Sequence, residues 1–511
     1  MKRLTLFIGS LAIVAGVMTV FALSRPVRDK VLVPAVLPQV RDSVTIEEKV
    51  VANGLDVPWD ITWGPDNWIW FTEQKGLVRK ANPSTGEVRT ILSIPEVHMQ
   101  RAVGLLGLAI HPDIKRYPYV FVDYSYLVDS TLFLKVVRFR YQEGGLVQPT
   151  TILDRIPATE THNGSRIIFD ATGRLLITTG DIDRGRLSQD VKSPNGKILR
   201  INIDGTIPSD NPIPGNPVWS WGHRNSQGLV WAPNGNIYSS EHGDVTDDEI
   251  NLIKKGGNYG WPRVEGMCDT RKEQGFCNDS SVVEALKIWT PTIAPAGIEY
   301  YGSHLIPQWH NSILVTTLKD ASLRVLQLNT AGNAVESEQI YLSGKYGRLR
   351  DVCVSPSGDV YVSTSNRDWN KTAGPGFPAD DDDKIIRLSA GTAVASIAAD
   401  QPSSKETHSV AERGAVLYRQ YCESCHKSDG NGLTGVFPAL RGSPYLHGEP
   451  KALIDVVVAG LDREQYLQAM PAFDFLADDQ IADLLNYVRR AFGRPRPTIT
   501  AADVKAARLG D

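Results

Sequence analysis

Five consecutive residues in the C-terminal part of the chain, Cys422-Glu-Ser-Cys425-His426, have the types and spacing for redox chemistry. Two thiols two residues apart, followed at once by an imidazole, form the C-x-x-C-H attachment signal for c-type haem. The thiols bond the two vinyl groups, and the histidine ligates the iron from one side. A CxxC pair alone also occurs in redox-active and zinc sites. This chain has no second CxxC, and the histidine that follows favours haem.

The second axial ligand of the iron has two candidates. Met470 is the only methionine after the motif, and it lies in the turn-like segment Gln468-Ala-Met-Pro-Ala-Phe. A methionine followed by proline favours a loop that presents the thioether. His447 is the alternative and would give two histidine ligands. We expect Met470, and His/Met ligation implies a raised reduction potential.

Helices are expected on both sides of this motif. Residues 412–422 read as a helix that leads into it, and residues 478–493 have apolar side chains at helical spacing. The segment 409–493 resembles the small class I cytochromes c, which implies a small all-α domain. The features that carry this resemblance are Gly414, Tyr418, Tyr487 and the loop Phe437-Pro438-Ala-Leu440.

The preceding part of the chain, about 350 residues long, repeats a turn signal followed by a short strand and a polar residue. Spacings of roughly 47 to 74 residues suit one four-stranded blade per copy, so we expect an all-β, six-bladed β-propeller. A series of β-sandwiches is the alternative. The six copies are Gly64-PDNWIWFTEQKG, His111-PDIKRYPYVFVDYS, Asp170-ATGRLLITTGD, Ala232-PNGNIYSSEHGD, Ile306-PQWHNSILVTTLKD and Ser355-PSGDVYVSTSN.

If these six strands are equivalent, their carboxyl ends meet at one mouth of the central channel, where a propeller binds its ligand. Polar and ionisable residues cluster at these ends. They are Glu73, Gln74, Tyr124, Gly180, Asp181, Glu241, His242, Lys319 and Asn366.

A set of longer motifs in residues 45–390 resembles the soluble glucose and aldose sugar dehydrogenases that depend on pyrroloquinoline quinone (PQQ), the glucose/sorbosone dehydrogenase family. That family has a six-bladed propeller, which agrees with the repeat count. The motifs are Gly104-LLGLAIHPD, His162-NGSRIIFD, Trp221-GHRNSQGLVWAPNG, Glu241-HG, Asp247-DEINLIKKGGNYGWP, Pro291-TIAP, Leu318-Lys319 and Arg348-LRDV.

The resemblance implies a PQQ site. PQQ is a planar tricarboxylate quinone, so its site needs several cations, and guanidinium groups suit carboxylates. Arg224 and Asn225 would contact the quinone oxygens and stabilise negative charge that develops there. The residues implied to bind the cofactor are Arg224, Asn225, His242, Thr292, Lys319, Arg348 and Arg350.

The resemblance also implies the catalytic groups. His162 would take the proton from the anomeric hydroxyl of a sugar, and Asp181 would orient it. A Ca²⁺ ion held by main-chain oxygens of Gly243 and Asp244 would act as a Lewis acid on the quinone.

Three positions bear on the substrate. Ala102 stands where the glucose enzymes have Gln, and Thr161 stands where an Asp precedes the catalytic His. His242 is shared with the aldose enzymes, whereas the glucose enzymes have Gln there. The substrate is therefore expected to be an aldose or a related alcohol, without a choice among them.

The N-terminal segment predicts export. Lys2 and Arg3 precede an uncharged stretch at residues 4–24, which at about 21 residues is long enough to span a bilayer. Basic residues before it favour a cytoplasmic N-terminus and an exported body. A cleavable signal ending near Val20-Phe21-Ala22 is the alternative, and both place the body in the periplasm. In that compartment Cys268 and Cys277 could form a local disulfide, the alternative being two free thiols.

These features give a domain plan. It consists of a signal or membrane anchor at 1–24, a tether at 25–42, the propeller at 43–390, a linker at 391–408, the cytochrome domain at 409–493 and a tail at 494–511.

The plan favours an exported quinohaemoprotein dehydrogenase with a sugar as substrate and a soluble or membrane-bound respiratory electron acceptor as partner. One alternative is a propeller without PQQ that docks its cytochrome onto a partner, and another is a Ca²⁺-dependent hydrolase such as a lactonase. A net charge of −4 gives no reason to expect nucleic acid.

Overall fold

The computed structural model describes residues 43–244, 246–370, 376–394, 410–427, 429–432, 437–461, 470, 472–474, 476–493 and 497–509. The expected N-terminal helix, the tether and residues 395–408 of the linker lie outside these ranges. No helix within them has the length and apolar character needed to cross a membrane.

The first part of the described chain forms four-stranded antiparallel sheets. Strand β1 (Val44–Ala52) comes first in the chain and belongs to the last sheet. Blade 1 contains β2 (Pro58–Trp63), β3 (Ile69–Glu73), β4 (Leu77–Ala81) and β5 (Val88–Ser93). Blade 2 contains β6 (Leu105–Ile110), β7 (Tyr119–Val128), β8 (Thr131–Gln142) and β9 (Gly145–Pro157). Blade 3 contains β10 (Ile167–Phe169), β11 (Leu175–Thr179), β12 (Lys197–Ile201) and β13 (Val218–Trp221).

Three further sheets complete the series. Blade 4 contains β14 (Ser226–Trp231), β15 (Ile237–Glu241), β16 (Asp248–Leu252) and β17 (Lys287–Trp289). Blade 5 contains β18 (Pro295–Tyr301), β19 (Ser312–Thr317), β20 (Leu323–Leu328) and β21 (Val335–Tyr341). Blade 6 contains β22 (Leu349–Val354), β23 (Val360–Thr364), β24 (Ile385–Val394) and β1.

The ring is closed by the pairing of β1 with β24, which joins the start of the propeller to its last blade. Six blades closed in this way confirm the expected β-propeller. The six repeats found in the sequence are the second strands of the six blades, β3, β7, β11, β15, β19 and β23.

These second strands lie between neighbouring sheets. Every residue of β3, β11, β15, β19 and β23 is buried. Because their side chains pack on both faces, the positions at which these strands end are firmly fixed.

Short helices occur in the propeller loops. They are α1 (Arg186–Gln189), α2 (Arg271–Ser280) and a 3₁₀ turn at Pro307–Trp309. Cys268 and Cys277 form a disulfide bond at this α2 loop, with a Cα–Cα distance of 6.4 Å. The sequence left open a disulfide or two free thiols for these cysteines, and the structure has the disulfide.

The C-terminal part is helical. It contains α3 (Val410–Tyr421), α4 (Glu423–His426), α5 (Pro444–His447), α6 (Pro450–Ala459), α7 (Asp478–Phe492) and α8 (Ala501–Leu509). Their apolar faces form one buried cluster that includes Tyr418, Ile454, Ile481 and Leu485.

Two boundaries differ from the domain plan. Strand β24 continues to Val394, so the propeller extends into the expected linker. Helix α8 lies in the expected tail, and Ile499 and Val504 join the helical core at 2% and 0% exposure. The helical domain therefore ends beyond residue 493.

Candidate active site

A cavity of about 330 Å³ opens at one mouth of the propeller channel. Loops from several blades line it, as expected where the ends of the second strands converge. Of the strand-end residues, Gln74, His242 and Lys319 line it, whereas Glu73, Tyr124, Gly180, Asp181, Glu241 and Asn366 do not. Of the propeller residues that the resemblance implies for catalysis, cofactor and Ca²⁺, all except Asp181 line this cavity. They are His162, Arg224, Asn225, His242, Gly243, Asp244, Thr292, Lys319, Arg348 and Arg350.

His162 lies on the loop between β9 and β10 and is held by two carboxylates. Its Nδ1 is 3.0 Å from Oδ1 of Asp181 and 3.1 Å from Oδ1 of Asp183. Asp181 is buried, and its Oδ2 accepts a hydrogen bond of 2.8 Å from Nε1 of Trp261. Because a carboxylate only accepts, Nδ1 is the donor, and Nε2 of a neutral imidazole is then left with its lone pair.

Glycine at position 180 allows this arrangement. A Cβ at Gly180 would lie 1.8 Å from the main-chain oxygen of His162, which no real side chain tolerates. The loop that carries His162 therefore packs directly on the end of β11, next to Asp181.

Two arginines at the start of β22 line the cavity. Arg348 immediately precedes the strand, and Arg350 is its second residue. Nη2 of Arg348 and Nη2 of Arg350 both donate to Oδ2 of Asp368, at 2.7 and 3.2 Å. Nη1 of Arg350 also donates to Gln227 at 3.1 Å. Two buried guanidinium groups thus share one carboxylate, which leaves an excess of positive charge.

Burial and the excess of positive charge both lower the pKa values of two groups in the cavity. Burial lowers the pKa of Arg350 to about 10, with Arg348 and Arg166 adding to the decrease and Asp368 opposing it. The pKa of His242 lies well below its usual value because of burial and then of Arg224, His162 and Arg350. The cavity is therefore electrostatically suited to an anion.

Lys319 adds a further cation. It is 9% exposed, and its Nζ donates to Oγ1 of Thr292 at 2.8 Å. The segment that carries Thr292 is fixed by Asp248, whose Oδ2 accepts from the main-chain nitrogens of Ile293 and Ala294. Oδ1 of the same carboxylate accepts from the nitrogen of Gly243 at 2.8 Å.

Arg224 and Asn225 are held by the turn that follows β13. The main-chain nitrogen of Arg224 donates to Glu241, and its Nη2 donates to Asp244 at 2.9 Å. Oδ1 of Asn225 accepts from the nitrogen of Gly164 at 3.1 Å. The buried Glu241 at the end of β15 therefore acts as a support for the cavity rather than as part of its lining.

Three buried nitrogens in this cavity lack a hydrogen-bond partner within the described part of the chain. They are Nε of Arg224, Nε2 of His242 and Nε of Arg350. Unsatisfied buried polar atoms are costly unless a ligand completes them. The donor set and its charge therefore fit a polyanionic planar ligand such as PQQ.

A metal site built from side chains is not evident here. Among the described residues, no group of three or more His, Cys, Asp or Glu side chains is arranged to hold a metal ion. Gly243 and Asp244 both line the cavity, so a Ca²⁺ ion would depend on their main-chain oxygens.

Several residues of the site were missed from the sequence. They are Asp183, Gln227, Trp261 and Asp368, each a partner of a predicted residue. Asp368 could have been found, because it follows β23 by a few residues.

Tyr124 was placed wrongly, since β7 continues to Val128 and the Tyr124 ring joins the core between blades.

A second cavity, of about 350 Å³, lies in the helical domain. Cys422, Cys425, His426 and Met470 all line it, with mainly apolar neighbours. Nδ1 of His426 is 2.9 Å from the main-chain oxygen of Pro438, which orients the imidazole. His447 is not among the described residues that line this cavity.

The fit to haem is good. A predominantly apolar cavity suits a porphyrin, and the two thiols, His426 and Met470 lie on its wall. A propeller with a cationic cavity and a carboxylate-held histidine, joined to a haem-binding domain, defines an oxidoreductase of the sugar or alcohol dehydrogenase class with its own cytochrome c domain.

Comparison with known proteins gives the family. Residues 55–371 match the model for glucose / sorbosone dehydrogenase, and the chain belongs to this family. Residues 409–488 match the model for cytochrome C oxidase, cbb3-type, subunit III, which supports the cytochrome c domain.

Individual relatives agree with both halves. Quinoprotein glucose dehydrogenase B of Acinetobacter calcoaceticus is 30% identical over 410 residues, covering 63% of this chain and 86% of the relative. The PQQ-bound aldose sugar dehydrogenase of Streptomyces coelicolor has 33% identity and a TM-score of 0.59, covering 68% of this chain and 100% of that one. The cytochrome c subunit of a quinone alcohol dehydrogenase from Gluconacetobacter polyoxogenes is 38% identical over 103 residues, covering 19% of this chain and 22% of the relative.

Proposed function

We propose that this protein oxidises an aldose sugar, or a related alcohol, at PQQ and passes the electrons through haem c to a respiratory acceptor. The observation that carries the proposal is the cationic cavity with three unpartnered buried nitrogens beside the His162–Asp181 pair. The names of the related quinoproteins support the choice of cofactor and substrate class.

Cationic and polar side chains of the cavity would hold the cofactor. Lys319, Arg348 and Arg350 would bind its carboxylates and carbonyls, and Arg224 and Asn225 would contact the quinone oxygens. When bound, PQQ supplies an electrophilic quinone carbonyl that accepts a hydride. Main-chain oxygens of the loop at 243–244 would hold a Ca²⁺ ion beside it.

The proton would be taken by His162. Its Nε2 would accept the proton of the anomeric hydroxyl while the hydride leaves C1, so the sugar loses two electrons and two protons and becomes a lactone. Asp181 and Asp183 would stabilise the imidazolium that forms at Nδ1. Arg224 would stabilise the negative charge that develops in the cavity.

Electron transfer would occur in single steps. One haem accepts one electron, so each sugar requires two transfers, with reoxidation of the iron by the external acceptor after each. We place the protein in the periplasm, where c-type cytochromes serve respiratory chains, either anchored through residues 4–24 or released after cleavage. The disulfide between Cys268 and Cys277 supports an oxidising compartment.

One experiment tests the proposal. Purified protein with its haem attached is mixed with PQQ, Ca²⁺ and a panel of aldoses and alcohols, and the haem absorption is followed. Reduction of the haem by at least one substrate, dependent on added PQQ, is expected. If PQQ binds without any substrate reducing the haem, or fails to bind, the proposal is wrong, and failure to bind favours the docking module.

Replacement of Arg350 by lysine should weaken the binding of PQQ. The change keeps the charge but removes the guanidinium fork and the buried Nε, and one charge-assisted hydrogen bond contributes roughly 1.5–3 kcal/mol. The dissociation constant should rise by about 10- to 100-fold, measured by titration of tryptophan fluorescence. Arg387→Lys, on β24 outside the cavity, should leave it unchanged, and equal effects of both changes would contradict this role.

Replacement of Trp369 by alanine should weaken the binding of the sugar. This side chain lines the cavity and is 46% exposed, with Cζ of Arg101 4.4 Å from its ring centroid. A sugar face covering the ring would gain about 1 kcal/mol, so KM should rise about fivefold with kcat unchanged. Trp369→Phe should retain most of the affinity, and a fall in kcat at constant KM would argue against a binding role.

A further inference from the structure

The cavity of the propeller and the cavity of the cytochrome domain share a wall. Phe437 and Lys319 line both of them. Phe437 is only 5% exposed, and Cys425 packs against it. The side chains of Phe437 and Lys319 therefore lie between the two candidate redox sites.

The contact across this wall joins the domains directly. Nζ of Lys319 is 5.5 Å from the ring centroid of Phe437, a distance typical of a cation–π interaction. Pro291 of the propeller also lines the haem cavity. Lys427 lies close enough to the buried Asp320 to stabilise its negative charge.

A bonded route continues from Phe437 to the iron ligand. Phe437 and Pro438 are joined by a peptide bond, and the oxygen of Pro438 is 2.9 Å from Nδ1 of His426. On the other side, Nζ of Lys319 is bonded to Thr292. Electron tunnelling is attenuated much less through covalent and hydrogen bonds than through empty space. The only through-space step between these residues is the one from Lys319 to the Phe437 ring.

We propose that Phe437 is the electron bridge of this enzyme, and that electrons pass from the quinone site by way of Lys319 and Phe437 to Pro438, His426 and the haem iron. The inference rests on the function proposed above. Each transfer moves one electron to a ferric haem and releases one proton from the reduced cofactor. A second transfer follows after the external acceptor has reoxidised the iron.

The bridge has a kinetic consequence. Because both redox groups lie in one chain on either side of a single ring, haem reduction after mixing with sugar should be first-order. Its rate should not depend on the protein concentration. A rate proportional to protein concentration would mean transfer between molecules and would overturn the inference.

Replacement of Phe437 tests the route. Phe437→Ala leaves a void at the wall, so stopped-flow haem reduction by sugar should slow by an order of magnitude or more. Sugar oxidation measured with a small dye that accepts electrons directly from the propeller site should continue. The haem potential, measured by spectroelectrochemistry, and the haem spectrum should keep their wild-type values. Phe437→Tyr should restore the rate, and Phe133→Ala in blade 2, outside both cavities, should leave it unchanged.

The outcomes separate the two proposals. If Phe437→Ala reduces its haem as fast as the wild type, or loses dye reduction in equal measure, the bridge is wrong. A shifted haem potential that accounts for the slower rate would also overturn it. If the wild type reduces neither dye nor haem with any sugar, the proposed function fails instead.

Discussion

Replacement of His162 by alanine is expected to lower sugar-driven haem reduction by about 10²- to 10⁴-fold, the usual contribution of a general base. The reason is the position of the imidazole, whose Nδ1 is bound by Asp181 at 3.0 Å while its ring lines the cationic cavity. Among the described residues that line the cavity, His162 is the only histidine bound by a carboxylate, so its loss removes the group placed to take the hydroxyl proton. The rate is measured by the haem absorption after mixing with sugar, PQQ and Ca²⁺.

Two controls make this result specific. Chemical reduction of the haem by dithionite should remain normal in His162→Ala, because the haem cavity is formed by other residues. His304→Ala removes an exposed histidine of blade 5 and should keep the wild-type rate. Asp181→Asn should have a smaller effect than His162→Ala, since Asp183 also contacts Nδ1. An unchanged rate in His162→Ala would exclude this residue as the base.

The propeller could be predicted because its second strands carry a local signal. Each copy has a turn with Gly, Asn or Pro followed by a short apolar strand, and these strands are buried between sheets. The outer strands are more exposed and irregular; β9 has mostly exposed or half-buried residues and three register shifts against β8. Exposed strands need little apolar periodicity, so their bounds were not available from the sequence.

The site was predicted unevenly for a physical reason. Residues that would contact the ligand lie within the family motifs, so His162, Arg350 and their neighbours could be predicted as site residues. Residues that only hold them, such as Asp183 and Asp368, come from other loops, and their role exists only after folding. The position of Tyr124 failed because β7 is longer than the other second strands, so the residue equivalent to a strand end lies in its interior.

In the helical domain, too, the local motif could be predicted from the sequence, whereas the packing of its last helix could not. The haem attachment motif consists of five consecutive residues, so it can be recognised without knowledge of the tertiary structure. Helix α8 follows a segment rich in Pro and Arg, and its nine residues gave no clear amphipathic pattern. Its packing through Val504 depends on a groove formed by α6 and α7, which the sequence does not display.

Replacement of Met470 by alanine is expected to lower the reduction potential of the haem by on the order of a few hundred millivolts, within the ~0.8 V range that axial ligands span. Met470 lines the haem cavity, and its main-chain nitrogen and oxygen are both bonded to Leu461, at 2.8 and 2.9 Å. The backbone at this position is thus fixed independently of the side chain. Removal of the thioether should therefore change the ligand field without moving the main chain of residue 470.

The same measurement decides between the two candidate ligands. Spectroelectrochemical titration of Met470→Ala should show the lowered potential, and sugar should then reduce the haem less completely at equilibrium because the haem has become the weaker oxidant. His447→Ala should leave the potential unchanged, since His447 does not line the cavity among the described residues. Met99→Ala, at a position 46% exposed on the propeller, serves as the matched control. A shift in His447→Ala together with none in Met470→Ala would assign the iron two histidines, and the high potential expected of an electron outlet would then be lost.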